Sequence, residues 1–180
     1  MLDDDRFFPA DAKTREIARD LFKSIRKLPL ISPHGHTEPR WFAENLPFPD
    51  PAQLLIVPDH YVTRMLVSQG HELTRLGVPR RDDGPVETDG RKIWRLFAGN
   101  YHLFRGTPSR VWLDTTFQDL FGLTEPLTAL TADAYYDRIA ECLAKPEFLR
   151  PREKSDRHRA LPVLRHPLAR MVATASGSSH

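Results

Sequence analysis

The sequence predicts a mostly α-helical chain with about one short strand. Apolar residues recur three and four positions apart along successive segments, and capping residues, glycines or prolines bound these segments. Only residues 28–32 form a short, continuously apolar, proline-bounded run, which is typical of a buried strand. A lone strand cannot form a sheet, so its partners lie elsewhere or the sheet is missing.

The first predicted helix covers residues 11–28 and leads directly into the strand. Asp11 is a suitable N-cap, and Pro29 ends the helix. Its apolar stripe comprises Ile17, Leu21, Phe22, Ile25 and Leu28.

Capping residues, prolines and glycines also mark the ends of the further predicted helices. Asp50-Pro51 starts a short helix, and Asp59 caps a helix over residues 59–69 that ends near Gly70. The apolar stripe of this second helix comprises Tyr61, Met65 and Leu66. After a polar hinge over residues 80–90, three more helices are predicted from about Gly90 to His102, from Thr107-Pro108 to near Gly122, and from Thr131 to before Pro146.

Composition indicates one globular domain. Hydrophobic residues make up 40% of the 180 residues and charged residues 28%, which is enough to bury a core under a soluble surface. The acidic N-terminus does not resemble a secretion signal, and no apolar run approaches a membrane span. Cys142 is the only cysteine, so we expect a cytoplasmic protein without disulfides and without membrane association.

The chain changes character at Pro151. Residues 151–180 hold six Lys and Arg against two Asp and Glu, with no stable periodicity, so we divide the chain into residues 1–150 and a disordered basic tail over 151–180. A nucleic-acid or membrane arm is the alternative. The tail lacks interleaved aromatic residues, however, so no nucleic-acid partner is expected.

His34 and His36 are the most informative pair in the sequence. Side chains two apart on an extended segment point the same way, so both imidazoles can reach one divalent metal ion from the end of the strand. Gly35 between them lets the backbone approach an ion or substrate closely. The alternative is a pair of turn histidines between Pro33 and Pro39.

A second cluster lies at His60, Tyr61 and Arg64. On a helix, His60 and Arg64 share a face with Tyr61 nearby, so the three side chains could converge on one anionic, hydroxylated ligand. The alternative places Tyr61 in the core, His60 at the helix start and Arg64 in solvent.

Several motifs in order resemble the uronate (glucuronate) isomerase family of the amidohydrolase superfamily. They are ISPHGHTEPRWF at residues 31–42, PDHYVTRMLVSQG at 58–70, TPSRVWLD at 107–114 and FQDLFG at 117–122. The resemblance covers most of residues 5–151.

The resemblance implies a fold and a site. Residues 1–150 would be the first strand and helical insertion of an α/β (β/α)₈ TIM barrel of the metal-dependent hydrolase type. His34 and His36 match the metal ligands, with zinc as the expected ion, and His60 and Tyr61 match an active-site pair. The implied reaction interconverts D-glucuronate with D-fructuronate and D-galacturonate with D-tagaturonate. Association into a homo-oligomer is left open.

The sequence also departs from the family pattern. Family members are more than twice as long, and their catalytic aspartate at the end of the last barrel strand has no counterpart here. The arginine- and proline-rich tail is what a shifted reading frame gives in G+C-rich DNA. We therefore expect a truncated fragment that is inactive alone. The competing functions are a metal-dependent hydrolase and a non-catalytic helical protein.

Overall fold

The helical prediction is confirmed in the part of the chain that the structure describes. The computed structural model describes residues 2–3, 5–25 and 48–145. Within these ranges the structure contains six α-helices and two short 3-10 helices, and no strand. The α-helices are α1 (Ala12–Ile25), α2 (Pro51–Leu55), α3 (His60–Val67), α4 (Gly90–Gly99), α5 (Pro108–Phe121) and α6 (Ala132–Leu143). The 3-10 helices are Leu73–Leu76 and Tyr101–Phe104.

The predicted cap Asp11 starts α1 by accepting a hydrogen bond from the Thr14 N–H at 2.8 Å, and three further predicted caps set later helix starts. The Asp50 carboxylate accepts hydrogen bonds from the backbone N–H groups of Ala52 and Gln53, and the Thr107 hydroxyl accepts one from Arg110. The third cap, Asp59, begins α3 and is described with the site below. These bonds satisfy amides that the first helical turn leaves without a partner.

The core lies where α2, α5 and α6 surround α4. Trp94 on α4 is fully buried, and its indole N–H donates a hydrogen bond to the Ala132 carbonyl at 2.9 Å. The centroid of its ring lies 5.5 Å from that of Phe97 and 6.1 Å from that of Phe117. Tilted and edge-to-face rings at these distances attract each other beyond the area they bury. The aromatic residues of α4 therefore hold the other helices together.

One glycine lets two helix starts approach closely. A Cβ added to Gly90, the first residue of α4, would lie 2.5 Å from the Asp50 Cγ. The Asp50 carboxylate already accepts hydrogen bonds from backbone N–H groups at the N-terminus of α2, so it cannot move away without losing them. Gly90 thus fixes the separation between α2 and α4.

Helix α1 is attached differently. It buries none of its residues, and Leu21 on the predicted stripe is 65% exposed. Asp5 forms ion pairs with Arg15 and Arg19, while the Phe8 and Phe22 rings pack edge to face at 6.1 Å. The segment before α1 reaches α5, where the Leu2 N–H donates to Gln118 Oε1 at 2.7 Å and Arg6 donates to Thr115 Oγ1 at 3.1 Å.

Two details differ from the sequence prediction, and a third refines it. The predicted helix 90–102 breaks at Asn100, whose side-chain amide donates to the Leu96 carbonyl, and continues as a 3-10 helix. The predicted helix start at Thr131 is confirmed, although the Thr131 hydroxyl forms no cap bond and instead accepts from the Thr128 N–H at 2.9 Å. Tyr61 is 40% exposed and does not join the apolar stripe of α3.

Other predictions fall outside the described residues. They are the strand over 28–32, His34, His36 and the tail over 151–180. Among the described helices, none is long and apolar enough to span a membrane.

Candidate functional site

The first turn of α3 carries the predicted pair His60 and Tyr61. The Asp59 carboxylate accepts a hydrogen bond from the Tyr61 N–H at 2.8 Å, and the Asp59 carbonyl accepts from the Val62 and Thr63 N–H groups at 3.0 Å. The cap fixes where the helix starts, and burial of its apolar side chains fixes which face of the helix is turned to the core. The inner face of α3 consists of Val62, Thr63 and Leu66, which are all buried.

The outer face of α3 brings His60, Tyr61 and Arg64 together. The ring centroids of His60 and Tyr61 are 4.4 Å apart with the planes inclined at 38°. The Arg64 guanidinium carbon lies 5.4 Å from the centroid of the Tyr61 ring, within cation–π range. All three side chains are exposed, so Tyr61 does not lie in the core, whereas His60 at the helix start and Arg64 on the surface agree with that part of the alternative.

This trio combines three kinds of chemistry on one surface. The imidazole can donate or accept a hydrogen bond, the phenol can do both, and the guanidinium donates to anions. In the part of the chain that the structure describes, no carboxylate lies at ion-pair distance from Arg64. The surface therefore suits a ligand with hydroxyl groups and a negative charge.

The metal prediction depends on residues outside the described ranges. His34 and His36 supply two imidazoles, a donor set that suits zinc and similar divalent ions. Two imidazoles are fewer than the three or more protein ligands of a catalytic zinc site. Residues 2–3, 5–25 and 48–145 contain no group of three His, Cys, Asp or Glu side chains that could hold an ion.

A second polar cluster, which the sequence did not reveal, joins Tyr101, Arg110 and Asp114. The Tyr101 hydroxyl donates to Asp114 Oδ1 at 2.9 Å, Arg110 Nε donates to Asp114 Oδ2 at 2.7 Å, and the guanidinium covers the Tyr101 ring at 4.0 Å. Burial, reinforced by the Asp114 charge, raises the pKa of the Tyr101 phenol. Because these groups satisfy one another, the cluster stabilises the junction between the second 3-10 helix and α5.

The sequence profile of the family described as glucuronate isomerase matches residues 6–159. The chain belongs to this family. The resemblance seen in the sequence motifs is therefore confirmed, and the match includes His34, His36, His60 and Tyr61.

Individual curated relatives belong to the same family. The uronate isomerase of Rhizobium meliloti is 58% identical over 157 residues, which are 87% of this chain and 33% of that protein. The uronate isomerase of Mesorhizobium japonicum is 59% identical with the same coverage. The chain thus spans about a third of the length of the curated relatives it matches.

Solved structures agree with the helical fold. The crystal structure of glucuronate isomerase from Caulobacter crescentus is 50% identical with a TM-score of 0.78, and the match covers 89% of this chain and 33% of that one. Uronate isomerase from Thermotoga maritima, at 22% identity and a TM-score of 0.64, covers 79% of this chain and 29% of its own, and supports the fold alone.

Proposed function

We propose that this member of the glucuronate isomerase family contributes to an aldose–ketose isomerase site for uronates. The proposed reactions interconvert D-glucuronate with D-fructuronate and D-galacturonate with D-tagaturonate. The observation that carries the proposal is the family match over residues 6–159 together with the exposed grouping of His60, Tyr61 and Arg64.

The reaction needs proton transfers and no external oxidant. C1 of the aldose is reduced while C2 is oxidised, as a proton leaves C2 and one returns at C1 through an enediol. The cyclic sugar must first open, which requires a proton at the ring oxygen. Tyr61 can donate that proton through its hydroxyl, and His60 can orient neighbouring hydroxyl groups by hydrogen bonds.

We assign the metal-ligand role to His34 and His36, with zinc as the expected ion. When bound, the ion would supply Lewis-acid polarisation of a substrate oxygen. Comparing the zinc content of the chain with that of its His34→Ala variant tests the assignment. Equal metal content in the two proteins would remove it.

We further propose that residues 1–150 correspond to the first strand and the helical insertion of a (β/α)₈ barrel. The TM-score of 0.78 over 89% of the chain supports this placement. The family match runs past Pro151 to residue 159, so the boundary at 150 and the out-of-frame origin of residues 151–180 stay proposals. We also propose a cytoplasmic location, because Cys142 is the only cysteine in the sequence and the fold uses no internal disulfide.

A chimera tests the function directly. Residues 6–159 of this chain replace the segment they match in the Rhizobium meliloti uronate isomerase, and ketose formation from D-glucuronate is measured. We expect activity in the chimera, and a fall in kcat of about 100-fold or more in its Tyr61→Phe variant. A chimera that folds by circular dichroism and binds zinc, yet forms no ketose, would overturn the proposal.

A non-catalytic helical protein is the second candidate, because residues 48–145 have their own aromatic core. The Tyr61→Phe variant separates the two candidates. A chimera whose activity is insensitive to Tyr61 and His60 would show that α3 serves only as packing. Assaying hydrolysis of uronate esters and amides in the same chimera addresses the remaining alternative, a metal-dependent hydrolase.

A further inference from the structure

We infer that Arg64 binds the carboxylate of the uronate and thereby selects sugar acids over neutral sugars. The inference rests on the proposed function, since it names a substrate contact within the same site. It goes beyond the pair His60 and Tyr61 that the family resemblance supplies.

The position of Arg64 follows from the rotation of α3. Val62 is 1% exposed and Leu66 is fully buried, so the inner face of the helix is fixed against the core. Residues three apart on a helix are neighbours, and this places the Arg64 guanidinium carbon 5.4 Å from the Tyr61 ring centroid. A guanidinium against an aromatic face is held in place while its N–H groups stay available for other acceptors.

Some arginines in the described part of the chain pair with carboxylates, and Arg64 is among those that do not. Arg91 and Arg95 both pair with Asp133, and Arg110 pairs with Asp114. For Arg64 no carboxylate partner is found among the described residues. Among the described residues its planar set of donors therefore meets no competing carboxylate, and it can bind the carboxylate of a ligand through two parallel hydrogen bonds.

The covalent structure of a uronate matches the order of these side chains. In the pyranose form, the ring oxygen and the C6 carboxylate are both attached to C5. A carboxylate bound to Arg64 would therefore bring the ring oxygen towards its neighbour Tyr61, whose hydroxyl supplies the proton for ring opening. D-glucuronate and D-galacturonate differ only at C4, so both present the same two groups to Arg64 and Tyr61.

The chimera described above provides the test. Replacing Arg64 with Met should raise KM for D-glucuronate and D-galacturonate by a similar factor, about 10- to 100-fold, as expected for loss of a charged hydrogen bond. Arg64→Lys should give an intermediate KM, because it keeps the charge and loses the planar pair of donors. Methylguanidinium in solution should partly restore the activity of Arg64→Ala.

Arg75→Met is the matched control. Arg75 is an exposed arginine on the 3-10 helix Leu73–Leu76, so its replacement removes the same charge from a position outside α3. We expect an unchanged KM. Equal KM values for Arg64→Met and the parent chimera would overturn the inference, and so would a lower melting temperature with a reduced kcat at constant KM. A folded parent chimera without activity would instead count against the proposed function.

Discussion

Helices α1 and α4 have similar amphipathic sequences but opposite surroundings. Phe22 and Leu21 on the stripe of α1 are 50% and 65% exposed, whereas Trp94 and Phe97 on α4 are fully buried among α2, α5 and α6. The comparison teaches that hydrophobic periodicity predicts a helix and the face that needs cover. It does not identify what provides the cover, and for α1 no covering element lies among the described residues.

The largest expected loss of stability follows from a substitution in α4. Trp94→Ala should lower the free energy of unfolding by about 3–5 kcal/mol, since it leaves a cavity and leaves the Ala132 carbonyl without its indole donor. Urea denaturation followed by circular dichroism measures the change. A loss below about 1 kcal/mol would mean that α4 is not the centre of the fold.

A smaller loss is expected where α4 meets α2. Gly90→Ala should destabilise the protein by about 1–3 kcal/mol, because the new methyl group overlaps the committed carboxylate of Asp50. Gly99→Ala is the matched control, since a Cβ there would have only Ala129 Cβ nearby, at 4.0 Å. The control should be neutral or slightly stabilising. Equal effects at both glycines would contradict the close approach of α2 and α4.

Loss of the cap of α5 should have a moderate effect. Thr107→Ala removes the acceptor for the Arg110 N–H and should cost about 0.5–2 kcal/mol. Thr107→Ser keeps the hydroxyl and should retain most of the stability. If serine proved as destabilising as alanine, the methyl group of Thr107, and not its hydrogen bond, would be what matters.

The smallest effect on stability is expected in α1. Leu21→Ser should change the free energy of unfolding by less than about 0.5 kcal/mol, since the side chain is already in solvent. It should reduce self-association in dynamic light scattering, because it interrupts an exposed apolar face. A loss above about 1 kcal/mol would show that residues outside the described ranges cover this face, and the contrast with α4 would disappear.

The local part of the fold could be predicted from sequence. Helix starts could be predicted at Asp50, Asp59 and Thr107, because a capping hydrogen bond joins residues at most three positions apart. The end of α5 could be predicted at Gly122, whose φ of +70° favours glycine. Thr131 precedes α6 without forming a side-chain cap bond, because its hydroxyl oxygen accepts a hydrogen bond from the Thr128 N–H at 2.9 Å instead. Short-range patterns do not reveal such competition between partners.

The site was only partly predictable for a related reason. Spacing placed His60 and Arg64 on one face of α3, and the structure confirms their grouping with Tyr61. Helical spacing also placed Tyr61 in the apolar stripe with Met65 and Leu66, although its ring is on the surface. The Tyr101–Asp114 hydrogen bond joins residues on different elements, so periodicity carried no signal for it.

The contact between Gly90 and Asp50 also determines how the site can change. Helix α3 begins only a short turn after α2, so the position of His60 relative to the core depends on where the start of α4 holds α2. A substitution at Gly90 can therefore reach His60 and Tyr61 through the backbone that joins α2 to α3, although Gly90 itself lies outside α3.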